Sequence, residues 1–127
     1  MVSMVQNVAI DCADPYRLAR FWSLVTGAPT DPEDRPGAAE TAIELPGGPV
    51  LYFNRVPEPK TAKNRVHLCL RPDTTRDREV DRLLALGAAP VADRRDPDGG
   101  GWAVLADPEG NEFCVLRSTA DREATDR

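Results

Sequence analysis

The chain has 127 residues, of which 41% are hydrophobic and 29% charged, so it is long enough to bury the core of one globular domain. Its 16 basic and 21 acidic residues give a net charge of −5, and without a basic surface we expect no nucleic-acid partner. No apolar stretch reaches the roughly 18–20 residues of a membrane span, and no basic leader opens the chain. We therefore expect a cytoplasmic protein without membrane contact. The three cysteines form neither an even set nor a CxxC pair, so reduced, buried thiols are expected.

The first half begins with a predicted strand over residues 5–10, which are rich in valine and isoleucine. Asp14 and Pro15 are the N-cap and first-turn proline of a predicted helix that ends at Gly27. The apolar stripe of this helix comprises Leu18, Phe21, Trp22 and Val25. Residues 28–40 contain three prolines and four acidic residues, which indicates mostly loop with at most a short edge strand. Two further strands are expected, over residues 41–45 and 49–56.

The second half repeats this order after a proline-containing linker over residues 57–64. A strand is predicted over residues 65–70, and a helix that starts after residues 73–75 ends at Gly87. The inward stripe of this helix comprises Val80, Leu83 and Leu84. Three further strands are expected, over residues 90–93, 102–106 and 112–116. The polar tail over residues 118–127 is expected to be disordered.

A strand–helix–strand order that occurs twice indicates a duplicated module. The spacing from the strand valine to the helix-ending glycine is 19 residues from Val8 to Gly27 and 21 residues from Val66 to Gly87. Two copies with single helices are too few for a solenoid. The predicted fold class is therefore α+β, with helices covering one face of an antiparallel or mixed sheet.

Several short segments carry a more specific pattern, above all the Asp-Pro-Glu-Gly-Asn turn before the last strand. They are Val8–Asp11, Asp14–Pro15, Leu18–Trp22, Asn64–Leu68, Leu84–Ala88 and Asp107–Phe113. In this order they resemble the vicinal-oxygen-chelate superfamily, in particular its glyoxalase-like and bleomycin-resistance-type domains. The resemblance implies two βαβββ modules that form a half-open barrel around a cavity. It places a single glyoxalase-like domain over residues 1–117, with modules over about residues 4–56 and 65–117.

In metal-dependent members of this superfamily, four strands each supply one ligand, usually His or Gln, Glu, His and Glu. Carried over by position, these ligands fall on Asn7, Tyr52, His67 and Cys114. An amide, a phenol, an imidazole and a thiol are a poor set for hard or borderline divalent ions, and four-coordinate zinc needs more donors. We therefore expect no tightly bound cofactor or metal, with weak binding of a divalent metal as the alternative.

Strand alternation places these four side chains opposite the more apolar faces of their strands, as expected of a cavity lining with polar groups. His67 is the only histidine, and it is either the catalytic acid–base or a cavity histidine satisfied by its neighbours. Tyr52 either donates to a ligand or packs, and Cys114 is either a nucleophile or a buried apolar residue. Trp102 follows three glycines and either caps the mouth of a pocket or packs.

Three functions stay open at this point. The first is a metal-independent lyase or isomerase of unknown substrate, with His67 as the catalytic residue and with Asn7 and Tyr52 as polar anchors. The second is a metal-free small-molecule or drug-binding protein of the bleomycin-resistance type, in which Trp102 and Tyr52 contact the ligand. The third is an interaction domain whose chemistry is lost. The resemblance also implies a homodimer.

Overall fold

The computed structural model describes residues 1–125, and these divide into two compact units, Met1–Thr61 and a second that begins at Ala62. The strands are β1 (Asn7–Cys12), β2 (Glu40–Glu44), β3 (Val50–Arg55), β4 (Cys69–Leu70), β5 (Ala89–Arg95), β6 (Gly101–Ala106) and β7 (Glu112–Leu116). The helices are α1 (Pro15–Thr26), α2 (Arg76–Ala85) and α3 (Thr119–Thr125). The predicted α+β class is confirmed.

The first unit is a three-stranded sheet in the order β1-β3-β2, with α1 packed on β2 and β3. β1 runs parallel to β3, and β2 runs antiparallel to it. The Asp14 side chain caps the helix by accepting from the Arg17 amide at 3.1 Å, and Gly27 ends it in the left-handed conformation. The core between helix and sheet is formed by Leu18, Phe21, Trp22, Ile43, Leu51 and Phe53.

The loop between α1 and β2 contains no strand, so the first unit is βαββ and has one strand fewer than the expected module. The loop carries Pro29, Pro32 and Pro36. Proline lacks the amide hydrogen that a sheet ladder uses, so these three positions cannot donate to a neighbouring strand.

The second unit is a four-stranded sheet in the order β4-β7-β6-β5, with α2 packed on β7. β4 runs parallel to β7, and the remaining pairs are antiparallel. In both units the strand before the helix therefore pairs in parallel with the last strand, and the last strand pairs with the one before it. The repeated connectivity is the structural counterpart of the duplication indicated by the sequence. The core of this unit is formed by Val80, Leu83, Leu105, Phe113 and Val115.

The strand predicted over residues 65–70 is reduced to Cys69–Leu70, and Val66 is 81% exposed rather than part of an inward face. The Asn64 side chain explains the difference. Its amide donates to the carbonyl oxygens of Val66 (2.9 Å) and Glu112 (3.0 Å), and its oxygen accepts from the Glu112 amide at 2.8 Å. These side-chain bonds take the place of the backbone ladder bonds that a longer strand would make. Residues 65–66 therefore form a bend instead of a strand.

Two further expectations differ from the structure of the second unit. Leu84 is exposed because the buried stripe of α2 comprises Arg76, Glu79, Val80 and Leu83. The tail was expected to be disordered, but Thr119–Thr125 form helix α3. The hydroxyl of buried Ser118 stabilises the start of this helix, because it donates to the Asp121 carboxylate and accepts from the Asp121 amide. Asp121 also accepts from the Arg76 amide at 2.9 Å. Residues 126 and 127 lie outside the described residues.

Within residues 1–125, none of the helices combines the length and the apolar character needed to cross a bilayer.

Replacing Gly101 with alanine should destabilise the second unit strongly. Its φ is +79°, and an added Cβ would lie 2.1 Å from the Arg94 carbonyl oxygen. Gly87 also has positive φ but has open space around the Cβ position, so Gly87→Ala is a matched control that should cost about 1–2 kcal/mol. Chemical denaturation should show at least twice that loss in the free energy of unfolding for Gly101→Ala. Equal losses would contradict the tight packing of β5 against Gly101.

Candidate functional site

The second unit contains a pocket with a volume of about 330 Å³ on the face of its sheet that carries His67. This volume is at the lower end of the range of about 300–1,000 Å³ typical of small-molecule sites. The lining combines apolar and aromatic side chains with two charged ones and three potential metal donors. These residues are Lys63, His67, Cys69, Trp102, Val104, Glu112, Cys114 and Leu116.

The parallel pairing of β4 with β7 assembles the polar part of this pocket. Cys69 lies directly opposite Cys114 in the ladder, and the Cys114 amide donates to the Leu68 carbonyl oxygen at 2.9 Å. His67 precedes Cys69 by two residues, so both side chains lie on the same side of this segment. The donor atoms of His67, Cys69 and Cys114 all lie within 4.8 Å of one another. We call these three residues the His-Cys-Cys cluster.

Two local structures fix the register that brings the cluster together. Asn64 bonds both backbone groups of Glu112, which anchors the segment before His67 to the start of β7. The turn before β7 is closed by buried Asp107, whose side chain accepts from the amides of Glu109 and Asn111 at 2.9 Å each. The Asp-Pro-Glu-Gly-Asn stretch is therefore a structural turn, as the sequence indicated. It connects β6 to β7 and fixes where β7 begins.

The apolar wall of the pocket depends on Trp102, which is 44% exposed although it is one of the largest side chains in the protein. It follows Gly101 and lies opposite Leu116 in the ladder between β6 and β7. The buried Arg76 side chain holds the preceding backbone by donating to the carbonyl oxygens of Gly100 (2.9 Å) and Gly101 (3.0 Å). Trp102 is thus an exposed aromatic surface on a rigidly anchored strand.

Burial raises the pKa of the Cys114 thiol, and the neighbouring Cys69 raises it further, whereas the charge of Lys63 opposes the shift. A thiol with a raised pKa is protonated at neutral pH and is a weak nucleophile. Of the two interpretations of Cys114, the structure favours the buried, unreactive residue in the absence of a bound cation.

In the first unit, Tyr52 and Asn7 lie on the same sheet face. Tyr52 lies between Ala9 and Ala42 in the ladder, and its hydroxyl donates to the Glu40 carboxylate. This hydrogen bond raises the pKa of Tyr52, because ionisation of the phenol would place a second negative charge beside Glu40. Asn7 is exposed at the start of β1. The role of both residues as polar anchors for a ligand stays a prediction.

The four positions that the resemblance assigns to metal ligands do not fit a hard divalent ion. In the first unit they are an exposed amide, Asn7, and a neutral phenol, Tyr52, that already donates to Glu40. In the second unit they are His67 and Cys114, beside the additional thiol of Cys69. Hard cations prefer carboxylate and carbonyl oxygens, whereas sulfur and imidazole suit softer ions. Within residues 1–125, the one group of three or more His, Cys, Asp or Glu side chains with convergent donors is the His-Cys-Cys cluster.

Comparison with known proteins identifies the family of this chain. The family described as a glyoxalase-like domain matches residues 7–116, which is most of the chain. The chain belongs to this family. A search of curated proteins finds no significant match.

Solved structures with the same fold include a glyoxalase/bleomycin resistance protein/dioxygenase family enzyme from Burkholderia phytofirmans PsJN. It is 22% identical, with 89% of this chain and 97% of that chain covered and a TM-score of 0.69. A glyoxalase-related enzyme from Fulvimarina pelagi is 20% identical, with coverages of 91% and 88% and a TM-score of 0.65. A mutant of the fosfomycin resistance protein FosX from Listeria monocytogenes, complexed with Mn(II) and 1S,2S-dihydroxypropylphosphonic acid, is 14% identical, with coverages of 96% and 94% and a TM-score of 0.69. At these low sequence identities, the similarity shows that this glyoxalase-like chain has the same fold as the three proteins.

The structure brings together His67, Trp102 and Cys114 of the predicted site residues, and it places Asn7 and Tyr52 in the other unit. Sequence reasoning missed Cys69, which is exposed rather than buried, and the two charged pocket residues Lys63 and Glu112. Strand alternation already placed Cys69 on the side of His67. It could therefore have been found as a third donor.

Replacing Glu40 with glutamine should lower the pKa of Tyr52 towards the ordinary tyrosine value of about 10, because the negative charge beside the phenol is removed. A spectrophotometric titration of the phenolate in a Tyr16→Phe background isolates Tyr52, since the chain has only two tyrosines. With Glu40 present, the ionisation should occur at higher pH than in the Glu40→Gln variant. Identical titration curves would show that the bond between Tyr52 and Glu40 is absent in solution.

Proposed function

We propose that this glyoxalase-like protein is a small-molecule enzyme of the lyase or isomerase type that works without the metal site of its superfamily. The observation that carries the proposal is the position of His67 in a pocket of suitable size beside side chains of both charges. The donor set supports metal independence, because the positions in the first unit offer an amide and an engaged phenol.

The chemistry proposed for the pocket is removal of a proton from the carbon next to a carbonyl group. Histidine is the side chain that most often transfers protons in enzymes, and His67 is exposed to the pocket. Lys63 lines the same pocket, and its ammonium group donates to the Asn64 carbonyl oxygen at 3.1 Å. Turned towards the substrate, this group would supply positive charge for the oxyanion that such a step creates. Trp102, Val104 and Leu116 provide an apolar wall for the rest of the substrate. The His67 imidazole accepts the proton, and its return to a different carbon completes an isomerisation.

Replacing His67 with glutamine should slow proton exchange at least about 100-fold, the lower end of the contribution of a positioned general base. The experiment incubates the protein in D₂O with pyruvate, phenylpyruvate or dihydroxyacetone and follows deuterium incorporation next to the carbonyl by NMR. Compounds that bind are identified first by thermal shift. Binding should change little in His67→Gln, because the amide keeps the hydrogen-bonding capacity of the site.

Glu112→Gln is the matched control, since Glu112 is the carboxylate in the same pocket and the competing base. If exchange is unaffected by His67→Gln but is lost in Glu112→Gln, the assignment of His67 is wrong. If the three compounds bind to wild type without any exchange, the enzymatic proposal fails for this substrate class.

A second candidate is a binding protein for an aromatic or cationic compound. The observation that favours it is the 44% exposure of Trp102 on the pocket wall, because large aromatic side chains at such positions commonly anchor ligands. The net charge of −5 is compatible with a cationic ligand, and an indole face attracts a quaternary ammonium group.

Replacing Trp102 with alanine should weaken the binding of benzyltrimethylammonium at least about 30-fold, the equivalent of a 2 kcal/mol anchor residue. Isothermal titration calorimetry measures the affinity. Leu24→Ala is the control, because Leu24 is an exposed apolar residue of α1 in the first unit and does not line the pocket. Equal affinity of wild type and Trp102→Ala would show that Trp102 does not contact the ligand.

The homodimer and the cytoplasmic location, which the sequence led us to expect, stay predictions.

A further inference from the structure

The His-Cys-Cys cluster contains the donor types that soft cations select. Two thiols and one imidazole have convergent donor atoms within 4.8 Å of one another. In a tetrahedral zinc site, bond lengths of about 2.3 Å to sulfur and 2.0–2.1 Å to nitrogen place the donors about 3.5–3.8 Å apart. The separation of at most 4.8 Å exceeds this by about 1.0–1.3 Å at most, which rotation of the exposed His67 and Cys69 side chains can remove.

The backbone around the cluster is held in place by hydrogen bonds. Cys69 and Cys114 are register partners in adjacent strands, and the Asn64 side chain anchors the segment that carries His67. Little backbone ordering is therefore left for the ion to impose. A pre-organised set of donors binds more tightly than a flexible one.

The environment of the cluster limits which ions it accepts. Val104, Leu116 and Trp102 add apolar surface to the same pocket, and among residues 1–125 Glu112 is the one carboxylate that lines it. A hard ion such as Mg²⁺ or Ca²⁺ would find one carboxylate where it requires several oxygen ligands. A soft ion would find its preferred donors and an accessible fourth position facing the pocket.

We infer that His67, Cys69 and Cys114 form a binding site for a thiophilic cation of the zinc and cadmium class, held entirely within the second unit. This site differs from the superfamily arrangement, in which the ligands come from both modules and are mainly oxygen and imidazole. It includes Cys69, which is not at any of the four superfamily ligand positions. The inference does not depend on the proposed function, and an occupied site would remove the metal-bound His67 nitrogen from proton transfer.

The test is a titration of the full chain with Cd²⁺ in a non-thiol reductant, followed by the ultraviolet charge-transfer band of cadmium thiolates. Wild type should show a band that saturates at one equivalent, and Zn²⁺ should abolish it by competition whereas Mg²⁺ and Ca²⁺ should not. Cys69→Ser and Cys114→Ala should each weaken the affinity at least about 100-fold, beyond the effect typical of residues that only support a ligand. His67→Gln should weaken it while leaving a thiolate band.

Cys12→Ala is the matched control, because Cys12 is the remaining cysteine and lies in the first unit. It should bind Cd²⁺ like wild type. Cys69 is exposed, so the Cys69→Ser variant is expected to keep its fold, and circular dichroism verifies this for every variant. The inference is overturned if wild type shows no band at one equivalent, or if the affinity is unchanged in folded Cys69→Ser. Since the readout is the metal–thiolate bond itself, its result is separate from that of the exchange experiment.

Discussion

The parallel pairing of β4 with β7 is the interaction on which the pocket depends. It is short, with only Cys69–Leu70 in regular ladder geometry, and it joins segments more than 40 residues apart. Such a pair is not stable alone, and the side chain of Asn64 extends it by bonding both backbone groups of Glu112. This anchor adds to the ladder bonds that hold His67 and Cys69 beside Cys114.

Each unit has its own parallel ladder with the same register pattern, but the side chains on the two ladders differ in chemistry. In the first unit Ala9 lies opposite Tyr52, and in the second Cys69 lies opposite Cys114. Asn7 and His67 each stand two residues before the first member of the pair. The same backbone register thus carries an amide, a methyl group and a phenol in one unit, and an imidazole and two thiols in the other. The repeated geometry therefore holds weak donors in the first unit and the stronger donors in the second.

Much of the fold follows from local sequence signals. Asp14 and Gly27 bound α1 because capping depends on neighbouring backbone groups, and strand alternation placed His67 and Cys114 on pocket-lining faces. The length of β4 could not be obtained in this way. The strand propensity of Val66 is overridden by the Asn64 side chain, whose partner lies 48 residues away. Local patterns contain no information on such a bond.

The same limit applies to the site. The spacing of His67 and Cys69 already predicts that they share a face. Their proximity to Cys114, however, depends on which residue of β7 lies opposite Cys69. The expectation of a poor metal site came from counting one thiol and one imidazole. The register adds a second thiol and changes the class of ion that the donors suit.

X-ray absorption at the zinc edge, on the chain loaded with one equivalent of Zn²⁺, tests most directly whether the pairing of β4 with β7 builds one site. The bound ion should have a coordination shell with two sulfur atoms at about 2.3 Å and at least one imidazole nitrogen. A shell of oxygen and nitrogen alone, or one with a single sulfur, would contradict it.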